Sequence, residues 1–263
     1  MNRTSSTTRR PIRRAAVIGA VSATAVAGVA TGAYASIAPG SPFNDVTLGA
    51  DNDNAANPFV QPPGVTAKQH MDSTDVLFGR DGNDLLVGNL GGDTLVGGRG
   101  HDILAGGPER FVAPNSDVIL GDEGNDVNIW APGDGSDAYV GDVGFDDMVL
   151  APFVTNADGF PKRQRWSGRQ ILRVDISKKP QFRCRIDRVP ANQRLGAQYL
   201  VRFFAGGNLA VTIRLKDVER VLCPSPNDNR VRVARLDSAQ PTRFLDVPLS
   251  SVRGVTGAIV AKP

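Results

Sequence analysis

Cysteine and histidine are scarce in this 263-residue chain, and their scarcity removes whole classes of chemistry. There are two cysteines, Cys184 and Cys223, and two histidines, His70 and His101. No H-E-x-x-H or other close histidine pair occurs, which argues against hydrolytic zinc. Past the N-terminal segment there is no G-x-S-x-G nucleophile elbow and no phosphate-cradling P-loop. No amphipathic helix reads there either, and no second apolar stretch approaches membrane-spanning length. No nucleic-acid reader motif is present. These absences argue against an enzyme, and the chain reads as non-catalytic.

What is present begins with the N-terminus, "MNRTSSTTRRPIRRAAVIGAVSATAVAGVATGAYA". A basic region, an apolar run rich in Ala, Val and Gly, and then Ala33-Tyr34-Ala35 make a signal-peptide pattern. Residues 1–35 are therefore expected to be removed before Ser36, giving a secreted, extracellular protein without a transmembrane span. Thr8-Arg9-Arg10 hints at twin-arginine export, but Arg13 stands where that motif wants an apolar residue, so general secretion is favoured. In an exported chain an even pair of cysteines points to a disulfide, Cys184–Cys223.

Charge is divided sharply. The formal net charge of +3 conceals residues 36–150, with 4 basic and 19 acidic residues, and residues 151–263, with 21 basic and 8 acidic. Such asymmetry predicts two modules. The acidic one needs compensating cations to stay compact.

The acidic half also repeats. In "GRDGNDLLVGNLGGDTLVGGRGHDILAGG", glycines stand at 79, 88, 97 and 106 and aspartates at 84, 93 and 102. Each aspartate is followed by three residues suited to a short strand (Leu85-Leu86-Val87, Thr94-Leu95-Val96, Ile103-Leu104-Ala105). Six turn residues and three strand residues make half a coil, so aspartates eighteen apart stack on one edge, about 4.8 Å apart. Stacked carboxylates repel unless a hard cation lies between them, and calcium suits such all-oxygen sites. Leu86, Leu95 and Leu104, with Ile119, Tyr139 and Met148 further on, should form a thin core.

The stretch resembles the RTX, or hemolysin-type, nonapeptide G-G-x-G-x-D-x-U-x. Gly97 to Ala105 matches every fixed position, and Gly79–Val87 and Gly88–Val96 each miss only the second glycine. Gly121 to Asp126 and Gly141 to Asp146 match again, and Gly133 to Asp137 matches with a shifted start. The resemblance implies an all-β fold, a short parallel β-roll over 73–150, with calcium held between turns. The implied metal-site residues are Gly79, Gly82 and Asp84; Gly88, Gly91 and Asp93; Gly97, Gly100 and Asp102; Gly121, Gly124 and Asp126; and Asp137 and Asp146. Regularity ranks Asp84 with Asp102, and the edge of Asp93, above Asp75 and Asp117. Asp75 follows a glycine-free turn, and an insertion, "PERFVAPNS", precedes Asp117. Asn128 falls at an inward apolar position, and His101 reads as an exposed spacer.

Residues 36–72, rich in Pro, Asn and Asp, read as an extended lead-in or N-terminal cap. Residues 151–263 read as a basic, predominantly β module: "QILRVDI", "QFRCRIDRV", "RVRVARL" and "TRFLDVPL" alternate, and Ala205-Gly206-Gly207-Asn208 is a hairpin turn. The arginines at 163, 165, 169, 173, 183, 185 and 188 sit on outer strand faces. They are either solvated or paired with the acidic half, or they form a surface for anionic polymers or nucleic acid. The sequence thus predicts an exported calcium-binding protein. Its alternatives are an adhesion or matrix module touching cell-surface polyanions, and an unrecognised hydrolase.

Overall fold

A computed structural model describes residues 37–38, 40, 46–48, 74–88, 91–107, 116–154, 162–166, 169–176, 180–194, 196–252 and 259–260. The expected signal peptide and most of the expected lead-in lie outside the described residues. Among those described, helix is confined to two three-residue 3-10 turns, Ala191–Gln193 and Leu249–Ser251. The fold is all-β.

Two consecutive repeats make one coil. Strands β1 (Ile37–Ala38) and β2 (Val46–Leu48) stand at the start. They are followed by β3 (Val76–Asp81) and β4 (Leu85–Val87), β5 (Thr94–Gly100) and β6 (Ile103–Ala105), β7 (Val118–Gly124) and β8 (Val127–Trp130), and β9 (Ala138–Gly144) and β10 (Asp147–Leu150). The odd-numbered strands pair in parallel with one another, and so do the even-numbered ones. Register stacks Leu77, Leu95, Ile119 and Tyr139 in one row, and Leu86, Leu104, Asn128 and Met148 in the other. All eight are fully buried. Side chains alternate across a strand, so one apolar residue per repeat suffices to fill a core this thin. Asn128 keeps its place in the row, its amide lying 3.4 Å from Met148 Sδ.

The basic half supplies β11 (Arg163–Trp166), β12 (Arg169–Leu172), β13 (Val174–Asp175), β14 (Phe182–Arg188), β15 (Tyr199–Ala205), β16 (Asn208–Lys216), β17 (Arg220–Pro224), β18 (Arg230–Arg235), β19 (Leu245–Pro248) and β20 (Ile259–Val260). Composition changes at Leu150, but the hydrogen bonding does not break there. β16 adds in parallel to β9 and β17 in parallel to β10, extending each stack into an eight-stranded sheet. β14–β15–β16 then run antiparallel as an edge to one sheet, and β17–β18–β19 to the other. The β15–β16 turn is the expected hairpin, with Gly206 and Gly207 at φ 58° and 88°.

The two sheets differ in what covers them. Leu85, Val87, Ile103, Val127, Ile129 and Val149, on the outer face of the even-numbered strands, lie under a second cluster that includes Leu172, Val174, Ile176 and Val252. Those strands are therefore buried on both faces. On the odd-numbered strands the outer face stays partly open, with Val118 45% exposed. The Cys184–Cys223 disulfide joins β14 to β17, and hence one sheet to the other.

Candidate metal centre

The turns between strands bring the predicted aspartates together in two ladders. On one edge the Asp84 amide donates to Asp102 Oδ1 (2.7 Å), Asp102 to Asp126 (2.8 Å) and Asp126 to Asp146 (2.8 Å). On the other edge, Asp75 donates to Asp93 (2.7 Å), Asp93 to Asp117 (2.7 Å) and Asp117 to Asp137 (3.0 Å). The separation of eighteen residues widens to 24 and 20 without breaking either ladder. Although an insertion separates Gly107 from Asp117, with residues 108–115 outside the described residues, Asp75 and Asp117 stack like the regular members. All eight aspartates are at most 1% exposed.

Glycine recurs because the turns approach one another closely. A Cβ at Gly124 would collide with the Gly100 carbonyl, and one at Gly100 with that of Gly82. These three, with Gly91, also hold φ between 124° and 157°, where only glycine is unstrained. At the first turn position the missing side chain leaves a cradle. A Cβ at Gly97 would lie 2.5 Å from Asp102 Oδ2 and 2.8 Å from the Gly121 carbonyl. At Gly121 it would lie 2.6 Å from Asp126 Oδ2 and 2.8 Å from the Gly141 carbonyl. Gly79 and Gly88 repeat this arrangement with Asp84 and Asp93. A carboxylate oxygen and a turn carbonyl thus converge on one point in each of these repeats, and both are hard donors of the type calcium takes.

Electrostatics agree with that donor set. Asp117 Oδ2 and Asp146 Oδ2 are buried and have no hydrogen-bond partner. Burial pushes the Asp117 carboxyl from 3.8 up to about 6, against the lowering effect of the Asp93 amide. Burial likewise pushes Asp146 to about 7, with the Asp126 amide opposing and Glu219 and Asp147 adding repulsion. A cation between the turns would reverse both shifts.

Three features escaped the sequence reading. Asp134 joins Asp117 and Asp137 in a buried group whose carboxylate oxygens lie within 4.8 Å of one another. Its only sequence signal was its place inside the shifted repeat. His101 is exposed as expected but is more than a spacer. Its amide donates to Asn83 Oδ1 (2.6 Å), and its Nδ1 accepts from the Asn125 amide (2.9 Å). The Asn125 side chain then accepts from the Phe145 amide, so a third ladder runs beside those of the aspartates. Finally, the Asp146 amide donates to Glu219 Oε2 (2.7 Å), a residue of the basic half with no repeat around it.

Of the arginines singled out, Arg183, Arg185 and Arg188 are exposed on β14, and the side chains of Arg163, Arg165 and Arg169 lie outside the described residues. Arg185 and Arg202 both pair with Asp187, and Arg220 reaches across to Asp147 through two hydrogen bonds of 2.5 and 2.6 Å. Among the described residues no helix is long and apolar enough to cross a membrane.

Residues 71–107 and 114–127 match the family model of the RTX calcium-binding nonapeptide repeat, in four copies. No curated protein and no solved structure matches the chain significantly. Two ladders of buried aspartates on glycine turns, coinciding with that match, identify residues 71–127 as RTX calcium-binding repeats forming a parallel β-roll.

Proposed function

We propose that this is an exported, non-enzymatic calcium-binding protein whose roll folds around several calcium ions. The observation that carries the reading is the cradle repeated along the ladder from Asp84 to Asp146 and found again at Gly88 beside Asp93, a buried aspartate oxygen and a backbone carbonyl facing one point. Asp84, Asp102, Asp126 and Asp146 would hold ions along one edge, and Asp93, Asp117 and Asp137 along the other. The ions would supply charge neutralisation and cross-linking, and the chain's own residues position the oxygens. Export is supported by the N-terminal basic-then-apolar pattern. The exposed arginines of β14 favour a cell-surface polyanion as a second partner, for which retention on a heparin resin is the measurement.

Equilibrium dialysis of the chain from Ser36 onward should find several calcium ions bound, with magnesium competing poorly because it demands a tighter octahedron. No bound calcium at millimolar concentration would end this reading.

The pH response should change sign with calcium. In the cation-free fold Asp117 and Asp146 carry carboxyl pKa values raised from 3.8 to about 6 and about 7. The folded chain then binds more protons than the unfolded chain across that window, so its stability is greatest at the acid end and falls as pH rises. Calcium must displace the same protons, so its binding strengthens over the same interval. Followed as the folded fraction at one fixed temperature, stability should fall between about pH 4 and pH 7 in chelator, where the roll is lost by neutral pH, and should rise in calcium. Parallel curves would refute the competition.

A further inference from the structure

The last coil of the roll is continued on both sheets by strands of the basic half. It is followed, after an excursion through the antiparallel strands, by the segment Arg214–Leu222, which takes the place of another coil. Register shows this directly: Arg214, Leu215 and Lys216 pair with Ala138, Tyr139 and Val140, and Arg220, Val221 and Leu222 with Asp147, Met148 and Val149. Between these pairings the repeat uses six residues, Gly141 to Asp146, whereas this segment uses only Asp217, Val218 and Glu219. The shorter turn begins with Asp217 at φ 49°, a left-handed conformation that aspartate tolerates better than most residues.

Within this turn the two functional atoms of a repeat are reproduced by different chemistry. Glu219 accepts the Asp146 amide as each ladder aspartate accepts the amide before it. Its extra methylene provides reach that a shortened turn requires. The Asp217 carbonyl stands at the Gly141 cradle where the other cradles have a glycine carbonyl, and a Cβ at Gly141 would collide with it and with Asp146 Oδ2. Asp146 is fully buried, and its Oδ2, facing that cradle, has no hydrogen-bond partner. The nearby cations are engaged elsewhere: Arg220 with Asp147, and Arg235 with Asp237. Both guanidinium groups also cover the Phe145 ring, at 5.2 and 5.0 Å from its centre, and hold the turn in place.

We propose that Asp146, the Asp217 carbonyl and Glu219 form a terminal calcium site shared between the roll and the basic half, so that calcium fastens the C-terminal strands to the last repeat. The inference rests on the calcium reading above and adds to it that the basic half contributes ligands of its own.

The test uses the chain from Ser36 onward, with calcium alone as the probe, and two variants that approach the site from opposite sides. Glu219→Gln keeps an acceptor for the Asp146 amide and removes the charge, while Gly141→Ala fills the cradle. Each is expected to bind one calcium ion fewer than wild type. In saturating calcium each should also speed amide exchange in residues 214–224 by about tenfold or more, as expected for about 1.4 kcal/mol of lost protection, with 94–105 unchanged. Either variant is sufficient if the other fails to fold. Unchanged stoichiometry and exchange in a folded variant overturn the shared site, provided wild type binds calcium. If wild type binds none, the calcium reading itself has failed, and the shared site with it.

Discussion

In excess chelator the chain is expected to lose most of its β signal, and to lose it in the C-terminal strands as well as in the roll. Eight ladder aspartates are at most 1% exposed. An uncompensated buried carboxylate costs several kcal/mol even after relaxation, whereas a whole domain is stable by only about 5–15 kcal/mol. Protonation relieves part of that penalty, as the raised values of Asp117 and Asp146 indicate, but at neutral pH it is incomplete. The acidic half, with 4 basic and 19 acidic residues, cannot supply the missing positive charge. Because β16 and β17 hydrogen-bond directly to β9 and β10, melting the roll removes a parallel neighbour from each C-terminal sheet edge. Circular dichroism with hydrogen exchange measures both parts. Calcium should restore the signal and protection together. Equal spectra in calcium and in chelator would defeat the expectation, and surviving protection confined to residues 199–236 would show that the basic half folds without the roll.

The roll was readable because its geometry is local. A period of nine, with glycine where turns touch and aspartate at the turn's end, specifies two short strands per coil, and the inward Leu86, Leu95, Leu104, Ile119, Tyr139 and Met148 follow from it. The outer faces were not readable. "LLV" in β4 and "VIL" in β7 are alike in pattern, yet one lies beneath Leu172, Val174 and Ile176 while the other leaves Val118 exposed. That difference is set by where Leu172, Val174 and Ile176 lie, which no strand pattern encodes. Glu219 was missed for a related reason. Its partner Asp146 is 73 residues away, and its turn carries none of the glycines that define a repeat. Asp117 was ranked low because an insertion spoils the spacing, but spacing along the chain is not spacing along the stack. An insertion within a turn can leave the ladder untouched.

Removing the disulfide should produce the second large effect, centred on the end of the molecule where the two sheets are clasped. Cys184 lies on β14, the outermost strand of one sheet, and Cys223 on β17, the strand beside β10 in the other. Cys223 is fully buried, and Cys184 packs against the same core as Phe182, Phe203 and Trp130. The bond closes a loop with a sequence separation of 39, for which chain entropy gives about 4 kcal/mol. In a chain of this size that corresponds to a fall in melting temperature on the order of 10 °C. A Cys184→Ala, Cys223→Ala double variant, measured in saturating calcium beside the reduced and oxidised parent with thiols counted, separates loss of the link from effects of the reductant. The ladder from Asp84 to Asp126 lies on coils the bond does not touch, so calcium bound there should be retained. A double variant melting within about 2 °C of the oxidised parent would contradict the chain-entropy argument, because it would mean that β14 is held by its pairing with β15 alone. Loss of all bound calcium would show instead that the clasp and the ladders form a single cooperative unit.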